Sequence, residues 1–171
     1  MRRGLVWGVL ALAACGGQGV RTGAVPEGGF VWRLDGIPTP LRGKASYARC
    51  AEEVHVFLVT DDAPKASVVV HPMGAPLRDR HPVLSPAAIS RHRSRHPADT
   101  LPGPLYVAVV LPPDSAFDAD SGVVEVIQSP DGHLRGSVTA WLRTRRVHTA
   151  FIARRDPSLE AGLRDGDRCA H

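Results

Sequence analysis

Aromatic side chains are scarce in this sequence. Phe, Trp and Tyr make up 5% of its 171 residues, low for a module that stacks rings on sugars. The usual catalytic signatures are missing too: there is no G-x-S-x-G, no H-E-x-x-H and no Cys beside a His, arrangements that hold a nucleophile or a metal ready. The acidic stretch 114–120 (DSAFDAD) lacks the spacing and closing Glu of an EF-hand calcium loop and reads as a turn. No apolar run approaches the roughly 20 residues that a membrane-crossing helix needs. The net charge is only +4, and no repeat of fixed period is visible. What is present suffices for a core: 43% hydrophobic residues exclude a disordered chain, while 17 Gly and 15 Pro exclude a coiled coil. The length fits one globular domain.

The N-terminus reads as an address. Arg2 and Arg3 precede ten uncharged residues from Leu5 to Ala14, the layout of a secretory signal. Leu12, Ala13, Ala14 and Cys15 resemble the lipobox of bacterial lipoproteins. The resemblance implies that residues 1–14 are a signal peptide, that the Cys15 thiol receives diacylglycerol, and that cleavage before Cys15 leaves a membrane-anchored protein of the bacterial cell envelope. Small side chains at 13 and 14 let a peptidase approach, and a thiol is the soft nucleophile the transfer needs. Each buried CH2 is worth about 0.8 kcal/mol, so several acyl chains make release very slow. Gly16 stands where lipoproteins of the inner membrane often carry Asp, which favours the outer membrane. The Arg pair lacks the rest of a twin-arginine motif.

Loss of residues 1–14 removes two Arg and no acid, leaving 19 basic and 17 acidic residues and a charge of +2. No nucleic-acid partner is expected from such a balance. Cys50 and Cys169 remain, an even pair in an oxidising compartment, which points to a disulfide, with two independent thiols as the alternative. The bridge would close a loop of 119 residue steps, worth about 4 to 5 kcal/mol on the chain-entropy account.

Residues 15–28 are Gly-rich without apolar periodicity and read as a lipidated, flexible tether with a reach of roughly 20 Å. Residues 29–171 read as a single β domain, because the pattern from Gly29 onward has period two. Phe30, Trp32 and Leu34 alternate with Val31, Arg33 and Asp35, and Leu41, Gly43, Ala45 and Tyr47 with Arg42, Lys44, Ser46 and Ala48. Val54 to Thr60 and Ala66 to His71 form a hairpin, and Leu105 to Leu111, apolar on both faces, lies centrally. In the C-terminal meander, Val123 to Gln128 meets His133 to Leu142 through a Pro-Asp-Gly turn, and Val147 to Ala153 follows. The run Gly122–Ile127, Leu134–Val138, Val147–Phe151 is similar to the closing meander of uncharacterised β-rich bacterial lipoproteins, a resemblance of structure over about 30 residues. The fold expected is all-β, an antiparallel sandwich of about eight strands interrupted by a long basic loop or short helix, with a lipocalin-like barrel as alternative.

That insertion, residues 72–104, holds Arg78, Arg80, His81, Arg91, His92, Arg93, Arg95 and His96. Ser85 and Pro86 form an N-cap and first-turn pair and Pro97 a stop, so a helix is expected over 86–95. It sets His92 and His96 at i, i+4, but the neighbouring Arg residues repel a dication, so no metal is assigned. Arg78, Arg80, Arg91, Arg93 and Arg95 suit anions such as lipid headgroups or anionic envelope polymers, or simply face water. His55, His133 and His148 fall on strands as partly buried or surface residues. Trp32, Trp141, Tyr47, Tyr106 and Phe151 either fill a core or line a ligand cavity. A helical turn or two is expected around Pro157 to Leu163. No catalytic residue or cofactor is assigned. The function expected is a membrane-anchored, non-enzymatic binding or structural module. The alternatives are a lipocalin-like carrier of a small apolar ligand and an envelope enzyme with an unrecognised site.

Overall fold

The computed structural model describes residues 25–36, 39–50, 53–61, 65–72, 79–95, 105–111 and 115–165. The fold is all-β, and the described residues form ten strands in a single curled sheet. In chain order the elements are β1 (Gly29–Leu34), β2 (Leu41–Cys50), β3 (Glu53–Thr60), β4 (Ser67–Pro72), β5 (Asp79–Leu84), α1 (Pro86–Arg95), β6 (Leu105–Leu111), β7 (Ser115–Asp118), β8 (Ser121–Gln128), β9 (Leu134–Leu142), β10 (Arg145–Arg155) and α2 (Pro157–Asp165). The strand order is β4-β3-β2-β1-β10-β9-β8-β5-β6-β7. Because β4, at one end of this order, also pairs antiparallel with β6, next to the other end, from Ser67↔Val110 to Pro72↔Leu105, the sheet is curled around one core.

The period-two alternation decides which side chains enter that core. Phe30 and Trp32 of β1, Val56 and Leu58 of β3, Val107 and Val109 of β6, Val138 of β9 and Phe151 of β10 point inward and are fully or almost fully buried. Phe151 stands opposite Gly136 in the β9–β10 register, and a Cβ on Gly136 would come within 2.8 Å of the Phe151 ring, so the glycine makes room for the aromatic. The β8–β9 hairpin turns at Gly132, whose φ of 83° suits glycine, and the Tyr47 hydroxyl donates to the Gly132 carbonyl at 2.7 Å. Of the aromatics considered in the sequence, Trp32, Tyr47 and Phe151 belong to the core, whereas Trp141 is exposed and Tyr106 faces outward.

The strands number ten rather than eight. The two extra ones, β5 and β7, lie in stretches that the sequence reads as loop and turn. β5 (DRHPVL) carries little alternation, and it is pairing with β8, from Asp79↔Val126 to Leu84↔Ser121, that makes it a strand. β7 is likewise set by β6, through Ala108↔Asp118 to Leu111↔Ser115. α1 covers the residues expected of it, with Ser85 Oγ accepting the Ala88 N–H at 3.2 Å as N-cap and Pro86 in the first turn.

One boundary moves. Residues 25–28, read as the end of a flexible tether, are docked on the sheet: Val25 packs against Val31, Ala150 and Ile152, Gly28 accepts from the Ala45 N–H at 2.8 Å, and Glu27 pairs with Arg154 at 3.1 Å. At the other end α2 lies on the outer face of β2 and β3, where Leu159 and Leu163 cover Ala48, Cys50 and Phe57. Cys50 is held in a disulfide. Cys169, its expected partner, lies outside the described residues, as do Cys15, residues 1–14 expected to be a signal peptide, and residues 15–24 of the expected tether.

A polar ladder and the cleft beneath helix α1

The outer face of β3, β4, β6 and β7 carries an unusual row. Strand registers place Val56 opposite Val70 and His71 opposite Tyr106, so His55, His71 and Tyr106 stand side by side on three adjacent strands, facing away from the core. His55 Nδ1 lies 3.1 Å from His71 Nδ1, one hydrogen bond whose donor depends on the tautomer. The two imidazoles meet edge to face, with centroids 5.4 Å apart. The His71 and Tyr106 rings stack with centroids 5.7 Å apart. At the far end the Tyr106 hydroxyl donates to Asp118 Oδ1 across the β6–β7 diagonal. At the near end, His55 Nε2 is 3.5 Å from Glu53 Oε2, within ion-pair reach but without hydrogen-bond geometry.

Burial grades along this row. Glu53 and His55 are buried, His71 and Tyr106 are half-buried, and Asp118 is exposed. Burial lowers the His55 pKa below its ordinary value, and the Glu53 carboxylate offsets only part of that cost. Tyr106 is pushed up to about 12 by burial and by its hydrogen bond to Asp118, so its phenol keeps its proton and acts as a donor.

A β5–α1–β6 crossover carries α1 over this end of the sheet, and a cleft of about 790 Å3 lies between helix and strands. Its floor is His71, Tyr106 and Asp118, and its roof is the α1 stripe Pro86, Ile89, Ser90 and Ser94. The i, i+3, i+4 spacing of the roof residues puts them on one helical face. Ile89 is only 2% exposed and supplies an apolar wall, while Ser90 and the floor supply hydrogen-bonding groups. Such a mixture suits a small ligand with an apolar body and a few polar atoms. A second hollow of about 260 Å3 sits at the β9–β10 turn between Phe117, Leu142 and Arg143, with the Arg143 guanidinium over the Phe117 ring.

Of the arginines singled out in the sequence, Arg80, Arg91 and Arg95 have described side chains, on two elements. Arg80 is exposed on β5 and pairs with Glu125 of β8 at 3.7 Å. Arg91 and Arg95 are exposed on α1, away from the stripe that roofs the cleft. Arg78, His96 and the side chains of His92 and Arg93 lie outside the described residues. Among the described residues no group of three or more His, Cys, Asp or Glu is placed to hold a metal ion. His148 is half-buried and bonds Thr139 at 2.8 Å.

Sequence reasoning missed His71, Tyr106 and Asp118 as a set, because it takes the β4–β6 pairing to unite residues 35 positions apart. The available signal was a polar or titratable residue at the outward position of otherwise apolar strands. Comparison with known protein families, curated proteins and solved structures finds no match.

Proposed function

We propose that this protein is a lipid-anchored protein of the bacterial cell envelope, at the outer membrane, whose β domain is a non-enzymatic binding module. Its ligand is a small molecule with an apolar body and polar substituents, seated in the cleft beneath α1. The observation that carries this reading is the cleft itself, walled by Ile89 and Pro86 and floored by the His71–Tyr106–Asp118 row. The floor chemistry suits binding: Tyr106, pushed up to about 12, keeps its proton and with His71 and Asp118 offers polar groups to a ligand. The alternative, a lipocalin-like carrier of a small apolar ligand, needs an interior cavity. The interior that a lipocalin-like carrier would use is filled by Phe30, Trp32, Leu58 and Phe151, so the ligand sits outside the sheet.

Anchoring through Cys15 is tested by Cys15→Ser, which should release the protein from membranes; continued sedimentation with them removes the anchor. The cleft is tested by a thermal-shift panel of amphiphilic small molecules against the wild type and Ser90→Trp, an exposed roof position whose indole would intrude into the cleft. A ligand at about 100 times its Kd adds about 2.7 kcal/mol, a rise of roughly 5 to 10 °C for a domain of this size. The shift should vanish in Ser90→Trp. An equal shift in that variant places the ligand elsewhere.

A further inference from the structure

The outer face carries a second distinctive surface, around the curled sheet from the cleft. Along the pairing order in either direction, β6 at the cleft is four strands from β1 or from β10. The outward positions of β1, β2 and β10 are rich in cations: Arg33 on β1, Arg42 and Lys44 on β2, and Arg146 on β10, all exposed. Registers gather them, with Arg33 opposite His148, His148 opposite Thr139, Arg146 opposite Trp141, and Val31 opposite Arg42.

Acids border this face too: Glu27 pairs with Arg154 at 3.1 Å, the Asp35 carboxylate accepts the Arg146 backbone N–H at 3.2 Å, and the Asp61 N–H donates to the Arg42 carbonyl at 3.4 Å. Among the described residues, the side chains of Arg33, Arg42, Lys44 and Arg146 make no ion pair. The field they create reaches His148, whose pKa is lowered first by burial and then by Arg146 and Arg33. Beside them stands Trp141, 43% exposed, with the Arg146 guanidinium 5.9 Å over its ring. Unpaired cations next to an exposed indole are the combination suited to the headgroup layer of a bilayer.

The path of the chain points to the same occupant. Val25 is seated on Val31, Ala150 and Ile152 of this very face, so the segment leading back to Cys15 leaves from it. Residues 15–24 have an extended limit of about 35 Å and a coil reach of roughly 17 Å. We propose that the outer face of β1, β2, β9 and β10 rests on a bilayer of anionic phospholipid, with headgroup phosphates on Arg33, Arg42, Lys44 and Arg146 and Trp141 at the interface. Docked this way, the protein turns the α1 cleft away from the membrane and towards diffusing ligands. This placement rests on the anchoring at Cys15 proposed above.

The test uses the mature lipidated protein, in which Trp141 is the exposed tryptophan and Trp32 is buried. It is reconstituted into phosphatidylcholine vesicles with or without a third of phosphatidylglycerol, with acyl chains brominated to quench nearby indoles. Trp141 should be quenched in the anionic vesicles only. In Arg33→Gln/Arg146→Gln, two exposed positions, docking should weaken at least about tenfold, and high salt should do the same, with sedimentation unchanged. Equal quenching in neutral vesicles, or in the double variant, overturns the proposal. So does an equal response to soluble polyphosphate, which makes the partner a polymer. Failure of the wild type to sediment with neutral vesicles overturns the anchor instead. The Cys15→Ser chain then decides the face alone: low-salt binding to anionic vesicles that is lost in the Arg variant upholds it, and no binding overturns it.

Discussion

His55 is 4% exposed, and everything around it is set by its place in the middle of the outer row. Its Nδ1 is committed to His71, and its Nε2 faces a buried carboxylate. Burial wins over Glu53 and lowers the pKa, so the folded protein holds this imidazole neutral. His148, shielded by the sheet and flanked by Arg146 and Arg33, shifts the same way. A depressed pKa gives a contribution to stability that is whole above the unfolded value of about 6.5 and is lost as pH falls through the folded value. The melting temperature should therefore drop as the buffer is taken from about pH 7.5 to about pH 5. In His55→Gln/His148→Gln that drop should flatten, and an unchanged slope would place the acid sensitivity on other groups.

Helix α2 shows how an element is fastened by few groups. Asp156 caps it, accepting from Ser158 N–H at 2.9 Å and Ser158 Oγ at 2.6 Å, with Pro157 in the first turn. Glu160 then ties it to two strands: its carboxylate, 3% exposed, accepts from the Arg49 backbone N–H at 3.0 Å and from Arg155 at 2.8 and 3.0 Å. The Arg155 hydrogen bond, followed by the Arg49 N–H and the charges of Arg155 and Arg164, outweighs burial and lowers the Glu160 pKa. Glu160→Ala should cost about 1 to 2 kcal/mol, chiefly by leaving the Arg49 N–H without its acceptor, read as a lower urea midpoint, and should remove part of the stability that the wild type loses as pH falls below the ordinary carboxylate range. No change would mean that α2 is held by Leu159 and Leu163 alone.

At the same scale, local chemistry explains what could be read in advance. Ser85 and Pro86 announced α1, the Pro-Asp-Gly turn announced the β8–β9 hairpin, and inward alternation along β9 identified Val138 and Leu142 as core. β5 and β7 were hidden because their strand character comes from partners distant in sequence. The cleft was hidden for the same reason: His71 lies on β4, Tyr106 on β6 and the roof on α1, and no spacing in the sequence encodes the β4–β6 pairing that assembles them.

For the molecule as a whole, the β4–β6 pairing curls one sheet so that its outer surface has two opposed sides. One carries unpaired cations and the docked residues 25–28, and the other carries the cleft. α2 lies over the buried Cys50, whose disulfide fastens this part of the sheet covalently. The apolar interior is filled, so the proposed ligand site lies on the outer face, where α1 spans it. The most direct test of that arrangement is a native mass spectrum of the Cys15→Ser protein, secreted and purified without detergent, beside the same spectrum of Ser90→Trp in that background. A small-molecule adduct on the first that is lost from the second is the predicted result. An adduct that persists in Ser90→Trp would contradict the assignment of the cleft beneath α1 as the binding site.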